Sequence, residues 1–463
     1  MAAAHTGEET KAIFETMPIS KALMKMAIPT ITSQLITLIY NIADTWFIGQ
    51  TDNPYMVAAS ALVLTVFLMT TALANLFGTG GGTLTVRLLG AKEEEEASKV
   101  ASFSIVMAGA AALLFSLLCL IFMDPLLHLL GASEKTIGYA RQYLVFVVII
   151  GGVPAVLSQC MSAMVRNVGH AKEAAFGLSL GGMLNVALDP LFMFVLLPDG
   201  YEVMGAAIAT MLSNVIALIY FIRIYQKLQG HTVLALPKRL EHIEKSSLSS
   251  MLSVGFPAAA SILLFDLTTI VINRLSAAHG DIALAAIGIV LKVERLPLNI
   301  GIGICLGMVP LVAYNYAAKD HKRMYAFFSK ARLYGVIVAA VSVVLYRLFA
   351  PYVMQAFISD PETVRLGTSF LEARCFATPF MFLSFHMVHL MQSVNRGRIS
   401  LCLAVIRQLV LNIPILFLMD HFFGAIGIVW TQATADILNV AASYLIFYRV
   451  KKEIDAMSDV CRS

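Results

Sequence analysis

The sequence predicts an all-α polytopic membrane protein, with twelve transmembrane helices in two six-helix lobes related by a pseudo-two-fold axis along the membrane normal. Three observations carry that expectation. The 463-residue chain is 59% hydrophobic and only 13% charged, with a mean hydropathy of +0.79, which leaves too little polar surface for a water-soluble fold of this length. Apolar stretches of about 20 residues recur from end to end, each sufficient to cross a ~30 Å hydrocarbon core as a helix. They lack the two-residue alternation of a membrane barrel. The chain also reads twice. Pro29 recurs as Pro257, Gly90-Ala91-Lys92 as Ala317-Ala318-Lys319, Asp124-Pro125 as Ala350-Pro351, Pro154 as Pro379, and Asp189-Pro190 as Ile413-Pro414.

Residues 1–18 are polar and acidic, with neither a short apolar core nor a small-residue cleavage site, and read as a cytoplasmic tail. The N-lobe, residues 19–228, holds spans at about 21–46, 55–79, 98–122, 136–162, 172–197 and 203–226. Residues 229–250 are the longest charged stretch and read as the cytoplasmic linker between lobes. The C-lobe, residues 251–450, follows with spans at about 249–276, 282–312, 328–349, 362–391, 400–420 and 424–449. Residues 451–463 form a second cytoplasmic tail. With both termini inside, the cytoplasmic segments collect 24 of the 33 Lys and Arg, while opposite loops such as Pro198-Asp199-Gly200 are nearly bare. The positive-inside rule therefore favours this orientation. Six spans per copy make both lobes enter the membrane the same way round, an arrangement suited to substrate held between two rocking halves.

Several function classes find no support. Five of the six cysteines fall inside spans, and no CxxC or Cys/His spacing suggests a metal or a disulfide framework. His386 and His389 lie three apart without a third ligand and read as packing residues. Gly78-Thr79-Gly80-Gly81-Gly82 lacks the Lys-Ser/Thr of a phosphate loop and reads as a helix break at the inner end of the second span. The acidic run Glu93–Glu96 reads as a solvated helix start opposite Lys92 and Lys99. No nucleophile–base pair or paired-acid site argues for an enzyme. The net charge of +4 comes mostly from inner-face loops, so neither a nucleic-acid partner nor an organic cofactor is implied.

The intramembrane acids are the candidate site. A carboxylate at mid-bilayer costs about 3 kcal/mol on insertion scales and normally faces a cavity, a partner or a transported ion. Asp44 lies one turn after Tyr40 in the first span. Asn185 and Asp189 are four apart and share a face of the fifth. Thr210 ends the small-residue run Gly205-Ala206-Ala207-Ile208-Ala209 in the sixth. Pro29, Pro154 and Pro190 are expected to interrupt the surrounding helices, with Pro29 as a hinge. Two carboxylates, an amide and a hydroxyl suit a hard monovalent cation bound through oxygen, and two close acids equally suit a proton carrier. The C-lobe cluster is mixed: Asp266, Lys292, Glu294, Arg295, Glu372, Arg374 and Asp436. It reads either as mutual neutralisation or as Asp266 and Glu294 drawing a cationic substrate.

These motifs together resemble the MATE (multidrug and toxic compound extrusion) family over about residues 20–450. The resemblance rests on Pro29 with Asp44-Thr45 and Gly49, Leu184-Asn185 with Leu188-Asp189-Pro190, Gly205 through Thr210, Pro310 through Asn315 to Lys319, and Gly427-Ile428-Val429-Trp430 through Ala435-Asp436. The two acids are similar to prokaryotic branches related to the DNA-damage-inducible group and the staphylococcal multidrug exporter. The resemblance implies export of amphipathic organic cations and drugs across the cytoplasmic (inner) membrane by alternating access, coupled to H⁺ or Na⁺. It implies coupling-cation roles for Asp44, Asn185, Asp189 and Thr210, and a pocket role for Tyr40. The expected partners are small-molecule drugs and membrane lipids, and the expected state is a monomer. Ala317-Ala318 departs from the family's usual Gly-Ala pair. A lipid-linked oligosaccharide flippase of the same superfamily is the alternative, although it would need a cationic cavity where the N-lobe offers acids.

Overall fold

The computed structural model describes residues 11–51, 53–237 and 242–460, with side chains to residue 456. Parts of both expected tails, and Lys238 and Arg239 of the linker, lie outside the described residues. The described chain is almost wholly helical. In order come α1 (Ile19–Gly49), α2 (Pro54–Gly90), α3 (Glu94–Ile121), α4 (Met123–Leu129), α5 (Ile137–Leu144), α6 (Gly152–Asn167), α7 (Ala171–Leu191) and α8 (Glu202–Leu228). The second series is α9 (Lys245–Ala278), α10 (Asp281–Ala317), α11 (His321–Gln355), α12 (Pro361–Arg374), α13 (Thr378–Ser393), α14 (Gly397–Val405), α15 (Ile413–Phe423) and α16 (Ala425–Val460). Among the described residues nine helical segments are long and apolar enough to cross a membrane, or ten if α5 and α6, bent by 45°, form one span. The pair α12–α13 and the 36-residue α16 occupy the two remaining expected spans.

Two expected breaks do not occur. α1 runs through Pro29 and α7 runs through Pro190. A proline removes one backbone donor and frees a carbonyl one turn earlier. The third expected break does occur: the span holding Pro154 bends by 45° at Gly151, after π-helical turns over Val145–Ile150. π-helical turns also follow Pro190 (Phe192–Leu196) and precede Pro414 (Ile406–Asn412). Wide turns of this kind absorb a lost bond without ending the helix.

The glycine run is also helical, which corrects the expectation of a break: α2 continues to Gly90. Its glycines serve close packing on several sides. A Cβ at Gly78 would lie 3.0 Å from Cys160 Cα, one at Gly81 would lie 2.1 Å from Ser104 Oγ, and one at Gly82 would lie 2.3 Å from Asn167 Nδ2. Small residues let helix backbones approach where lipid gives no hydrophobic drive to associate.

By packing, the chain forms two compact units: Thr32–Ala259 with the segment before Pro18, and Pro18–Ile31 with the described residues from Ala260 onward. The start of each repeat therefore belongs with the other repeat's unit. In the first unit, Gly80 on α2 meets Met251 and Gly255 on α9, and a Cβ at Gly255 would stand 1.9 Å from Leu76 O. In the second, Gly307 on α10 meets Ala27 on α1, and Gly303 meets Ile31. Gly80 and Gly307 are repeat-related, as are Ala27 and Gly255, so the two-fold pattern extends to backbone contacts. The linker is anchored as well. Leu234 and Ile243 are buried among Val100, Phe221 and Tyr225 in the first unit's core, and Ser247 Oγ donates to Glu96 Oε1 at 2.9 Å.

Candidate cation-coupling site

The first unit gathers the expected polar residues. Spacing of four places Asn185 over Asp189 on α7, and Asn185 Nδ2 donates to Asp189 Oδ1 at 3.2 Å. The same amide donates to Thr210 Oγ1 on α8 at 3.1 Å. Tyr40 of α1 packs against α7 about one turn before Asn185: a Cβ at Gly182 would meet its ring at 2.8 Å, so only glycine leaves room for it. Tyr143 on α5 lies within electrostatic range of Asp44. The Asp44 and Asp189 carboxyls are near enough to interact electrostatically. Asp189 and Asn185 are buried, and Asp44 and Thr210 are half-buried.

This cluster concentrates unused acceptor capacity on two carboxyls and an amide that lie together, although Asp266 Oδ2 of the second unit is also buried without a donor. Asp44 Oδ1, Asn185 Oδ1 and Asp189 Oδ2 are buried and accept no hydrogen bond. Native proteins rarely leave such atoms unpaired, because each loses its hydration on burial. Neither acid belongs to an ion pair among the described residues. Three oxygens of this kind, beside a hydroxyl and two tyrosines, form a donor set for a hard monovalent cation or a proton.

The second unit treats its buried charges differently. Arg374 Nε donates to Glu294 Oε2. Arg407 grips Asp436 through two bonds, Nε to Oδ1 at 2.5 Å and Nη2 to Oδ2 at 3.1 Å. Gln432 joins the pairs: its Oε1 accepts from Arg374 Nη2 at 3.4 Å and its Nε2 donates to Asp436 Oδ2. Ser384 donates to Asp436, and Thr268 and Asn412 bond to Gln408. Of the two sequence readings of this cluster, mutual neutralisation describes the bonds of Glu294 and Asp436. Asp266 is half-buried, belongs to no ion pair among the described residues and keeps its Oδ2 without a donor, while Lys292 and Arg295 are exposed. His386 bonds Phe328 O at 3.1 Å and stacks on the Phe328 ring, and His389 bonds Phe385 O. Both are packing residues, as their spacing suggested.

Sequence reasoning missed Tyr143, Arg407 and Gln432. Tyr143 has no fixed spacing from Asp44, and its phenol is unremarkable in an apolar span. Arg407 left a signal, since an arginine inside the eleventh span needs an acid, and Asp436 had no base in its own span.

The family model described as MatE matches residues 29–191 and again 257–418, one match per repeat. Multidrug export protein MepA of Staphylococcus aureus (strain MSSA476) is 30% identical over 443 residues, covering 95% of this chain and 96% of its own. The solved outward-facing conformation of a multidrug resistance MATE family transporter of the MOP superfamily shares the fold with a TM-score of 0.90 at 21% identity, over 96% of this chain and 98% of that one. The Vibrio cholerae MATE transporter VcmN, in its bent form, superposes with a TM-score of 0.86 at 20% identity over 95% and 98% of the two chains.

Proposed function

This chain belongs to the MatE family, a family of transporters with twelve helices in two lobes, and on that premise we propose that it is an H⁺- or Na⁺-coupled antiporter. It exports amphipathic organic cations and drugs across the cytoplasmic membrane by alternating access, with both termini in the cytoplasm. One observation carries the reading: the three buried, unsatisfied oxygens of Asp44, Asn185 and Asp189. A cation or proton arriving from outside satisfies them and neutralises a carboxylate, changing how α1 packs on α7. The same helix passes from the second unit to the first between Ile31 and Thr32, within one turn of Pro29. A change in its packing at Asp44 is therefore placed to act at Pro29, where the helix lacks one bond. Bound substrate is released outward, and the inward-open state takes up the next. The buried arginines Arg374 and Arg407 of the second unit are each held by an acid, which argues against a cationic cavity for a diphosphate lipid.

The test is transport of ethidium in proteoliposomes, with pH and sodium gradients imposed separately on wild type and Asp44→Asn. Transport that follows one gradient and vanishes in the variant is expected. Transport indifferent to both gradients, or equal in the variant, overturns the reading.

A further inference from the structure

The two ion pairs of the second unit are built differently. Arg407 and Asp436 meet through two bonds, and Ser384 and Gln432 add further bonds to the same carboxylate. Arg374 reaches Glu294 through Nε alone. Its Nη2 goes to Gln432, and its Nη1 is buried with no acceptor among the side chains or backbone around it. Arg374 is only 3% exposed, so bulk water does not reach that donor. A buried guanidinium N–H left unpaired costs more than a neutral one, because the charge sharpens the loss of hydration.

A small cavity of about 20 Å³ adjoins it, lined by Thr268, Thr269, Glu294, Arg295, Arg374, Gln408 and Gln432, with apolar side chains completing the wall. A void of ~10–15 Å³ suffices for one water when two or more polar partners face it. Charge decides between a neutral and an ionic occupant. Glu294 balances Arg374 and Asp436 balances Arg407, while Arg295 on the cavity wall is exposed and keeps its charge solvated. With both buried arginines already paired, an added ion would carry its charge into a low-dielectric interior without a counter-charge.

We infer that this cavity is a binding site for a single water, which accepts from Arg374 Nη1 and completes the one-sided Glu294–Arg374 pair. The water is thus a structural member of the network that joins α9, α10, α12 and α16. Its presence gives a cavity-filling mutation an opposite sign from the usual one. Filling a dry void stabilises a protein, whereas expelling this water strands a buried charged donor.

The experiment compares Thr269→Leu, which fills the cavity, with Thr269→Val, which removes the hydroxyl at nearly constant volume. Thr269 already bonds its own helix at Phe265 O, so the valine change leaves the cavity's other partners in place. Melting of the purified full-length protein is expected to fall by several degrees for Thr269→Leu and to stay near wild type for Thr269→Val. A cryo-EM map of the wild type at water-resolving resolution is expected to show one oxygen within hydrogen-bond distance of Nη1. A blank map at that position, or a Thr269→Leu variant that melts above wild type, overturns the inference.

Discussion

Both units hold acids inside apolar helices, yet only the second sets arginines against its two fully buried ones. Asp44 and Asp189 keep unsatisfied oxygens, and their neighbours are an amide, a hydroxyl and two phenols. Glu294 and Asp436 are bonded to Arg374 and Arg407. An acid without a basic partner can exchange its counter-charge with the surroundings, whereas an acid locked to an arginine cannot do so without stranding that arginine. The repeat has thus diverged in chemistry while keeping its backbone. Asp189-Pro190 is matched by Ile413-Pro414, yet the glycine contacts at Gly80 and Gly307 stay equivalent.

Breaking one partner of the closed pair gives the largest expected effect. Arg407→Met leaves Asp436 buried and uncompensated, at a cost of about 3–5 kcal/mol, and should sharply reduce the folded fraction that survives heating, read by size-exclusion chromatography. The double variant Arg407→Met with Asp436→Leu should recover most of that loss. Asp189→Asn is expected to do the opposite, keeping or raising the melting temperature while abolishing gradient-driven transport. A marked loss of stability in Asp189→Asn would break the contrast between the units.

Backbone contacts sharpen the comparison at the next level. Gly255→Val forces a side chain against the α2 backbone at Leu76, and overpacking of this kind costs about 1–3 kcal/mol. Smaller and opposite in sign is Lys92→Gly. Lys92 closes α2 with φ of 66°, and its repeat mate Lys319 has φ of 60°. Relief of left-handed strain at a non-glycine residue is worth about 1 kcal/mol, so Lys92→Gly should melt slightly higher than wild type.

The smallest effect lies at the start of α12. Asp360 accepts from the Thr363 N–H at 2.8 Å and from its hydroxyl, and these bonds hold the carboxyl below its ordinary value. Because the folded value is depressed, the cap's contribution is present above the unfolded carboxyl range. It is lost as pH falls through the lower folded value. The melting difference between wild type and Asp360→Ala should therefore shrink below about pH 4.

Span count, the repeat and the acids of the first unit were legible in the sequence because each leaves a local signature: an apolar length, a recurring proline, a charge where charge is costly. The i, i+4 spacing of Asn185 and Asp189 is by itself enough to put them on one face of a helix. What stayed hidden depends on which helices meet. The glycine run looked like a break because its partners Ser104, Cys160, Asn167 and Met251 lie far away in sequence. Pro29 and Pro190 likewise looked like interruptions, since a lost donor is visible in sequence and the accommodating packing is not. Tyr143 and Arg407 needed the fold to find Asp44 and Asp436.

The most direct test of the contrast between the units is cation binding to the purified protein, read as proton release and as sodium affinity. Wild type, Asp189→Asn, and the charge-neutral double variant Glu294→Gln with Arg374→Gln would be compared. Binding should disappear in Asp189→Asn and persist in the double variant. Binding that survives Asp189→Asn and is lost in the double variant would place the coupling ion in the second unit and contradict the account.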